Sequence, residues 1–137
     1  MMTPRNTTTG IVFEQMMPPA FKRGGYQFKT QQKVGTRFGG GAHNVDWLVE
    51  KAGEIILVSN KWQQVSGTAE QKVPFEALCL EEAIRQKKAV RAYLVLGGPG
   101  WTLRDFYVGN LANYMHIPHV SIMELEKFIP KASAGKL

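Results

Sequence analysis

Asp46, Lys61 and Gln63 are the residues whose types and spacing point to chemistry. They lie in two apolar runs, Asn44-Val45-Asp46-Trp47-Leu48-Val49 and Glu54 to Gln63, joined by the short turn Lys51-Ala52-Gly53-Glu54. A β-hairpin with Ala52-Gly53 at its centre sets Lys51 against Glu54 and Asp46 against Ser59. The two-residue period then puts Ser59, Lys61 and Gln63 on the face of Asp46. Val45, Trp47, Val49, Ile56 and Val58 share the other face, which reads as buried. A carboxylate, an ammonium and an amide at one end of apolar strands are costly to bury without a task. One positioned acid–base group is worth roughly 10²–10⁴-fold in rate.

The next segment adds carboxylates. Thr68 begins a helical pattern with Gln71 at the capping-box position and an apolar stripe of Val73, Ala77, Leu80 and Ile84. On a 3.6-residue wheel Glu70 lies about 50° from the centre of that stripe and leans towards the sheet. Glu76 lies further off the stripe and ranks second.

The remaining elements must hold this arrangement in place. Thr7-Thr8-Thr9 supply N-cap candidates for a first helix from Gly10 to Met17, which Pro18-Pro19 should end or kink. Tyr26, Phe28 and Thr30 alternate with polar neighbours as a strand reaching about Val34, and the triple glycine at 39–41 is a loop. Val90 to Leu96 is an apolar strand closed by the turn Gly97-Gly98-Pro99-Gly100. A helical pattern runs from Trp101 through Leu103, Phe106, Tyr107, Leu111 and Tyr114. His119 to Ile122 is a last short strand, before a helix from Met123 to Phe128 and a loose tail from Ala132 to Leu137. The expected fold class is α/β, a mixed central sheet flanked by helices. The expected organisation is a single domain over 1–137 with its core at about 10–128.

Composition narrows the function classes. The chain has 137 residues, 44% hydrophobic and 20% charged, ordinary globular proportions that argue against disorder. One cysteine, Cys79, excludes a disulfide framework and a multi-cysteine zinc site, and His43, His116 and His119 are too scattered for a zinc centre. No apolar run approaches the roughly 18–20 residues of a membrane span, and no signal-peptide core follows Met1. A cytoplasmic protein without membrane attachment is expected. The net charge is +6, and no acidic residue lies between Glu14 and Asp46. Lys22, Arg23, Lys29, Lys33 and Arg37 fill that interval among glycines. They are candidate phosphate contacts, with His43 a candidate DNA contact from the loop.

Asp46, followed fifteen positions later by Lys61 on the next strand, resembles the PD-(D/E)xK superfamily of restriction-endonuclease-like nucleases. The resemblance covers residues 10 to 96: a glutamate on the first helix, the aspartate strand, the lysine strand with Gln63 two positions on, and a crossing helix. It implies a restriction-endonuclease-like fold and a metal-dependent endonuclease that hydrolyses DNA phosphodiesters. Mg²⁺ is the implied cofactor, with Mn²⁺ able to substitute. Asp46 and a second acidic residue would hold the metal with the main-chain carbonyl of Asn60, because Mg²⁺ prefers oxygen ligands. Lys61 would sit beside the attacking water, Gln63 would position water or phosphate, and Glu14 corresponds to the first-helix glutamate of small junction resolvases.

The chain departs from that pattern at two positions. Val45 replaces the proline, and Ser59 occupies the acidic position, giving Ser59-Asn60-Lys61. Some members with Ser-x-Lys supply the missing carboxylate from the next helix, and Glu70 is the first choice for it here, with Glu76 second. A homodimer is expected, since cutting two strands calls for two symmetric sites. A structure-specific, junction-resolvase-like or phage-type enzyme is the leading expectation, with a small type II restriction endonuclease as the alternative. Its source would be bacterial, archaeal or phage-encoded. From another class, Ser59 raises the alternative of a catalytically inactive nucleic-acid-binding module that kept the nuclease fold.

Overall fold

The computed structural model describes residues 5–137. In chain order the elements are α1 (Arg5–Arg23), β1 (Gln27–Thr36), β2 (Ala42–Lys51), β3 (Glu54–Trp62), α2 (Lys72–Arg85), β4 (Arg91–Gly97), α3 (Arg104–Gly109), β5 (Val120–Glu124) and α4 (Leu125–Ser133). The sheet order is β1-β2-β3-β4-β5. β1, β2 and β3 form an antiparallel meander, whereas β4 and β5 run parallel to β3. Short loops suffice for the meander; each parallel step needs a crossover helix, supplied by α2 and α3.

Apolar side chains seal both faces. Phe13, Met17, Ala20 and Phe21 of α1 pack with Phe128 and Ala132 of α4 on Trp47, Val49, Ile56 and Val58. The predicted stripe Val73, Ala77, Leu80 and Ile84 of α2 is buried on the opposite face against Leu57, Leu94 and Leu96, beside Tyr107 of α3. The hairpin register is as predicted, with Lys51 opposite Glu54 and Trp47 opposite Val58.

α1 departs from expectation at both ends. Thr7, Thr8 and Thr9 lie inside the helix rather than at its cap, and the helix runs through Pro18 and Pro19. Two prolines remove two backbone donors, a cost of roughly 3 kcal/mol each or more in a helix interior. Complete burial of Met17, Ala20 and Phe21 on either side of them opposes that cost. α2 begins late: a 3₁₀ turn covers Thr68–Gln71, and Gln71 makes no side-chain cap. Pro74 is tolerated because first-turn amides have no intrahelical partner. α3 stops at Gly109 and leaves Tyr114 exposed.

The last helix extends to Ser133 through Pro130, past the expected end at Phe128. The tail is not loose. Leu137 is buried, its N–H donates to the Tyr26 hydroxyl at 2.8 Å, and Arg91 donates to its carbonyl at 2.7 Å.

One irregularity matters for the site. Val45 belongs to the α2/α3 core although Trp47, two residues away, belongs to the α1/α4 core. On β1, Phe28 and Val34 divide between the same two cores. The exchange falls at Gln31, which has φ of 52°, and at Asp46 opposite it. The expectation that Val45 shares a face with Trp47 fails because strict alternation is interrupted at this pair.

Candidate active site

The site forms where β2 and β3 part. Their pairing ends at Trp47 and Val58. Beyond it the Asp46 carboxylate replaces the backbone acceptor, receiving the Asn60 N–H at 2.7 Å, while Gln31 Nε2 donates to its other oxygen at 3.4 Å. The N–H and C=O of one strand residue point to the same side, so the Asn60 carbonyl also faces this opening. The Asn60 side chain is fixed by Trp47 Nε1, which donates to Oδ1 at 3.1 Å.

Asp46 is turned to the α1 side. With Glu14, Gln31 and Asn60 it lines a cavity of about 250 Å³. Lys61 projects to the α2 side, where a second cavity of about 390 Å³ is lined by Arg37, Lys61, Lys72, Phe75 and Glu76. Asp46 and Lys61 therefore meet across the opening and not on one sheet face, a consequence of the interrupted alternation. Burial pushes the Asp46 carboxyl up, and the Glu76 charge adds to this, against the Asn60 N–H, the Lys61 ammonium and Gln31.

Glu76 is the carboxylate that approaches Ser59. It is 4% exposed. Its Oε2 accepts the Ser59 hydroxyl at 2.8 Å and lies 3.0 Å from His43 Nε2. Burial acts to raise its pKa, but His43, Ser59 and the Lys61 charge prevail and hold it below the usual carboxylate range. His43 is 1% exposed, which corrects its expected role as a DNA contact. Its position on β2 turns the ring inward onto α2, where its partner lies 33 residues away in sequence.

Glu70 is placed elsewhere. The α-helical wheel does not extend to it, because it lies in the 3₁₀ turn before α2. Its carboxylate accepts the Thr102 hydroxyl at 2.5 Å and the Leu103 N–H at 2.7 Å, tying down the start of α3. Burial works to raise its pKa, and the hydrogen bonds from Thr102, Leu103 and Gln63 outweigh it, leaving the carboxyl low. Gln63 is also outside the opening. It is buried, and its amide nitrogen donates to the Gly100 carbonyl at 2.9 Å, locking β3 to the turn after β4. A Cβ on Gly100 would meet the Val65 backbone at 2.6 Å, so that turn packs directly on the segment after β3.

The basic segment is divided. Lys33 is exposed on β1, and Arg37, just past the end of that strand, lines the cavity beside α2. Lys29 is exposed on β1, the edge strand. Lys22 and Arg23 end α1 about 12 Å beyond Glu14 along the helix. They are near the β2–β3 turn, where Lys51 Nζ donates to the Gly24 carbonyl at 2.8 Å. The sequence reading missed the His43–Glu76–Ser59 contact. A polar residue alternating with Val45 on an apolar strand and a glutamate three residues after Val73 are the signals available for it.

A family model described as a PD-(D/E)XK nuclease superfamily domain matches residues 5–135. The chain belongs to the PD-(D/E)XK nuclease superfamily. Its mixed five-stranded sheet flanked by helices agrees with that membership. Among solved structures it is similar to the crystal structure of a protein of unknown function, AF1548. The TM-score is 0.52 with 12% identity, over 80% of this chain and 54% of that one. This PD-(D/E)XK chain thus spans about half the length of the solved protein it matches, and at that identity the likeness speaks for the fold. No curated protein matches it. No helix among the described residues is long and apolar enough to cross a membrane.

The residues present suit a hard divalent cation by donor chemistry. Asp46, Glu76 and the Asn60 carbonyl are oxygen donors around the opening, and crowded negative charge is part of what raises Asp46. Among the described residues no three His, Cys, Asp or Glu side chains gather as a ligand cluster, so the main-chain oxygen has to complete such a set.

Proposed function

We propose that this domain is a Mg²⁺-dependent endonuclease that hydrolyses DNA phosphodiesters, with Mn²⁺ able to substitute. The observation that carries the reading is the opening between β2 and β3. There Asp46, the Asn60 carbonyl and Lys61 adjoin a Glu76 held by Ser59 and His43. In this reading Asp46, Glu76 and the Asn60 carbonyl hold the cation, and Glu76 takes the part first assigned to Glu70. The bound cation would shield the phosphate and acidify water. Lys61 orients or activates the attacking water, and Glu14 contributes from the α1 side of the same cavity as Asp46. Lys33 and Arg37 hold the phosphates flanking the cut, and Lys29 extends that contact along the edge strand. Gln63 is left a structural role. The enzyme acts as a homodimer on branched or otherwise irregular DNA, in the manner of junction resolvases, and the small restriction endonuclease is the alternative within the class.

Cleavage of supercoiled plasmid and of a panel of linear duplex, four-way junction, flap and single-stranded DNA tests the proposal. Mg²⁺-dependent cutting should fall by roughly 10²–10⁴-fold in Lys61→Ala, the loss of one positioned acid–base group. It should vanish in Asp46→Ala and Glu76→Gln. Undiminished cutting in all three sinks the site. A second reading, a binding module that has lost catalysis, is favoured by the lack of a three-side-chain ligand cluster among the described residues. Salt-sensitive binding to every substrate with no cutting in Mg²⁺ or Mn²⁺ would select it.

A further inference from the structure

Two aromatic rings beside the proposed catalytic lysine are left exposed by the fold. Phe38, at the β1–β2 hairpin tip, is 50% exposed and Phe75, on α2, is 41% exposed. Their ring centroids lie 6.5 Å apart at 65°. The Arg37 guanidinium sits over the Phe75 ring, 5.8 Å from its centroid. Phe75 also lines the cavity shared by Arg37, Lys61, Lys72 and Glu76, which brings three cations and one carboxylate to its edge. The tip continues through Gly39, Gly40 and Gly41, and nothing lies within 4 Å of where their Cβ atoms would be. Core packing does not require rings this exposed, and the sequence does not bury them elsewhere.

We propose that Phe38 and Phe75, flanked by Arg37, Lys61 and Lys72, form a platform on which an unpaired nucleobase next to the cleaved phosphodiester stacks. The inference rests on the nuclease reading and adds the form of the substrate. Bases inside a duplex are already stacked on their neighbours, so an exposed ring beside a phosphate-binding groove serves a base that is free to leave the helix. Arg37 and Lys72 would take the phosphates on either side of that base, and the ring pair would take its apolar face. A second copy of this chain is the weaker occupant. The rim is mostly cationic and each copy carries a net charge of +6.

The test uses the full chain with Ca²⁺ in place of Mg²⁺, and two DNA duplexes of equal length. One is blunt; the other ends in a single-stranded arm carrying 2-aminopurine at successive positions. Wild type should quench the fluorophore at one position near the duplex end and bind the armed duplex about 5- to 100-fold more tightly than the blunt one. Phe38→Ala and Phe75→Leu should each lose the quench and the preference while binding the blunt duplex as before. Equal binding of both duplexes without quenching overturns the platform. So does a quench unchanged in both variants. Loss of a dimer in Phe38→Ala, seen by sedimentation with the quench retained, overturns it in favour of a contact between copies. The two readings separate in the wild type with Mg²⁺. Cutting without quenching removes only the platform, whereas quenching without cutting removes only the nuclease.

Discussion

The Ser59 hydroxyl donates to Glu76 Oε2 at 2.8 Å, so the serine two residues before Lys61 grips a carboxylate delivered from the helix opposite. An aspartate at 59 would set two carboxylates against each other in a buried place. Ser59→Asp alone should therefore lose both stability and metal-dependent cutting. Combining it with Glu76→Ser moves the carboxylate back to β3 and should recover part of both. Denaturant melts and plasmid cleavage of the three proteins check this, and a double variant no better than Ser59→Asp would refute the exchange.

His43 shares the same glutamate oxygen from the other side. Removing a buried partner leaves Glu76 Oε2 with the Ser59 hydroxyl alone, a cost of about 1–3 kcal/mol. His43→Ala should lower stability by that much. It should also weaken Mn²⁺ binding, followed by electron paramagnetic resonance, by roughly 10–100-fold, the usual effect of losing a group that orients a ligand. Glutamine keeps a donor of similar reach, so His43→Gln should recover much of the binding. Equal binding in wild type and His43→Ala would show that the ring only fills space.

Asp46 sits in a place that disfavours its charge, chiefly through burial. A carboxyl whose folded pKa is raised above 3.8 favours folding below that value, and this advantage fades as pH rises through the folded value. At neutral pH the ionised group thus weighs against the fold. Asp46→Asn keeps an oxygen for the Asn60 N–H without the charge. It should raise the melting temperature at pH 7 while abolishing cutting. A lower melting temperature would contradict the assignment.

Glu70 has the opposite sign. Its folded pKa lies below the ordinary value of 4.5, so its contribution is present above that value and disappears as pH falls through the folded one. Glu70→Gln should cost roughly 1–3 kcal/mol at pH 7, from the weakened hold on Thr102 and Leu103. The gap to wild type should close in acid. Cutting by the folded variant should persist, and its loss in a protein with wild-type stability would return Glu70 to the metal.

How much of this was legible in the sequence differs by residue. The β2–β3 register could be read because a two-residue turn and alternating apolar residues leave few alternatives. The α2 stripe could be read for the same local reason. The passage of α1 through Pro18 and Pro19 could not, because burial in a sheet formed later in the chain opposes a local penalty. A helical wheel places Glu70 ahead of Glu76 only if α2 begins at Thr68. A carboxylate recruited to α3 and a 3₁₀ turn set that start instead. The His43–Glu76 contact is long-range, and neither segment alone carries a signal for it.

The exchange of faces at Gln31 and Asp46 has a mechanical consequence. Outboard of this pair the hairpin is anchored in one core, through Val34 and Val45; inboard it is anchored in the other, through Phe28 and Trp47. Asp46 thus marks the crossing point of the hairpin, with the tip at Phe38 outboard of it. Its carboxylate is attached to a strand seated in both layers of helices, one on each side of it.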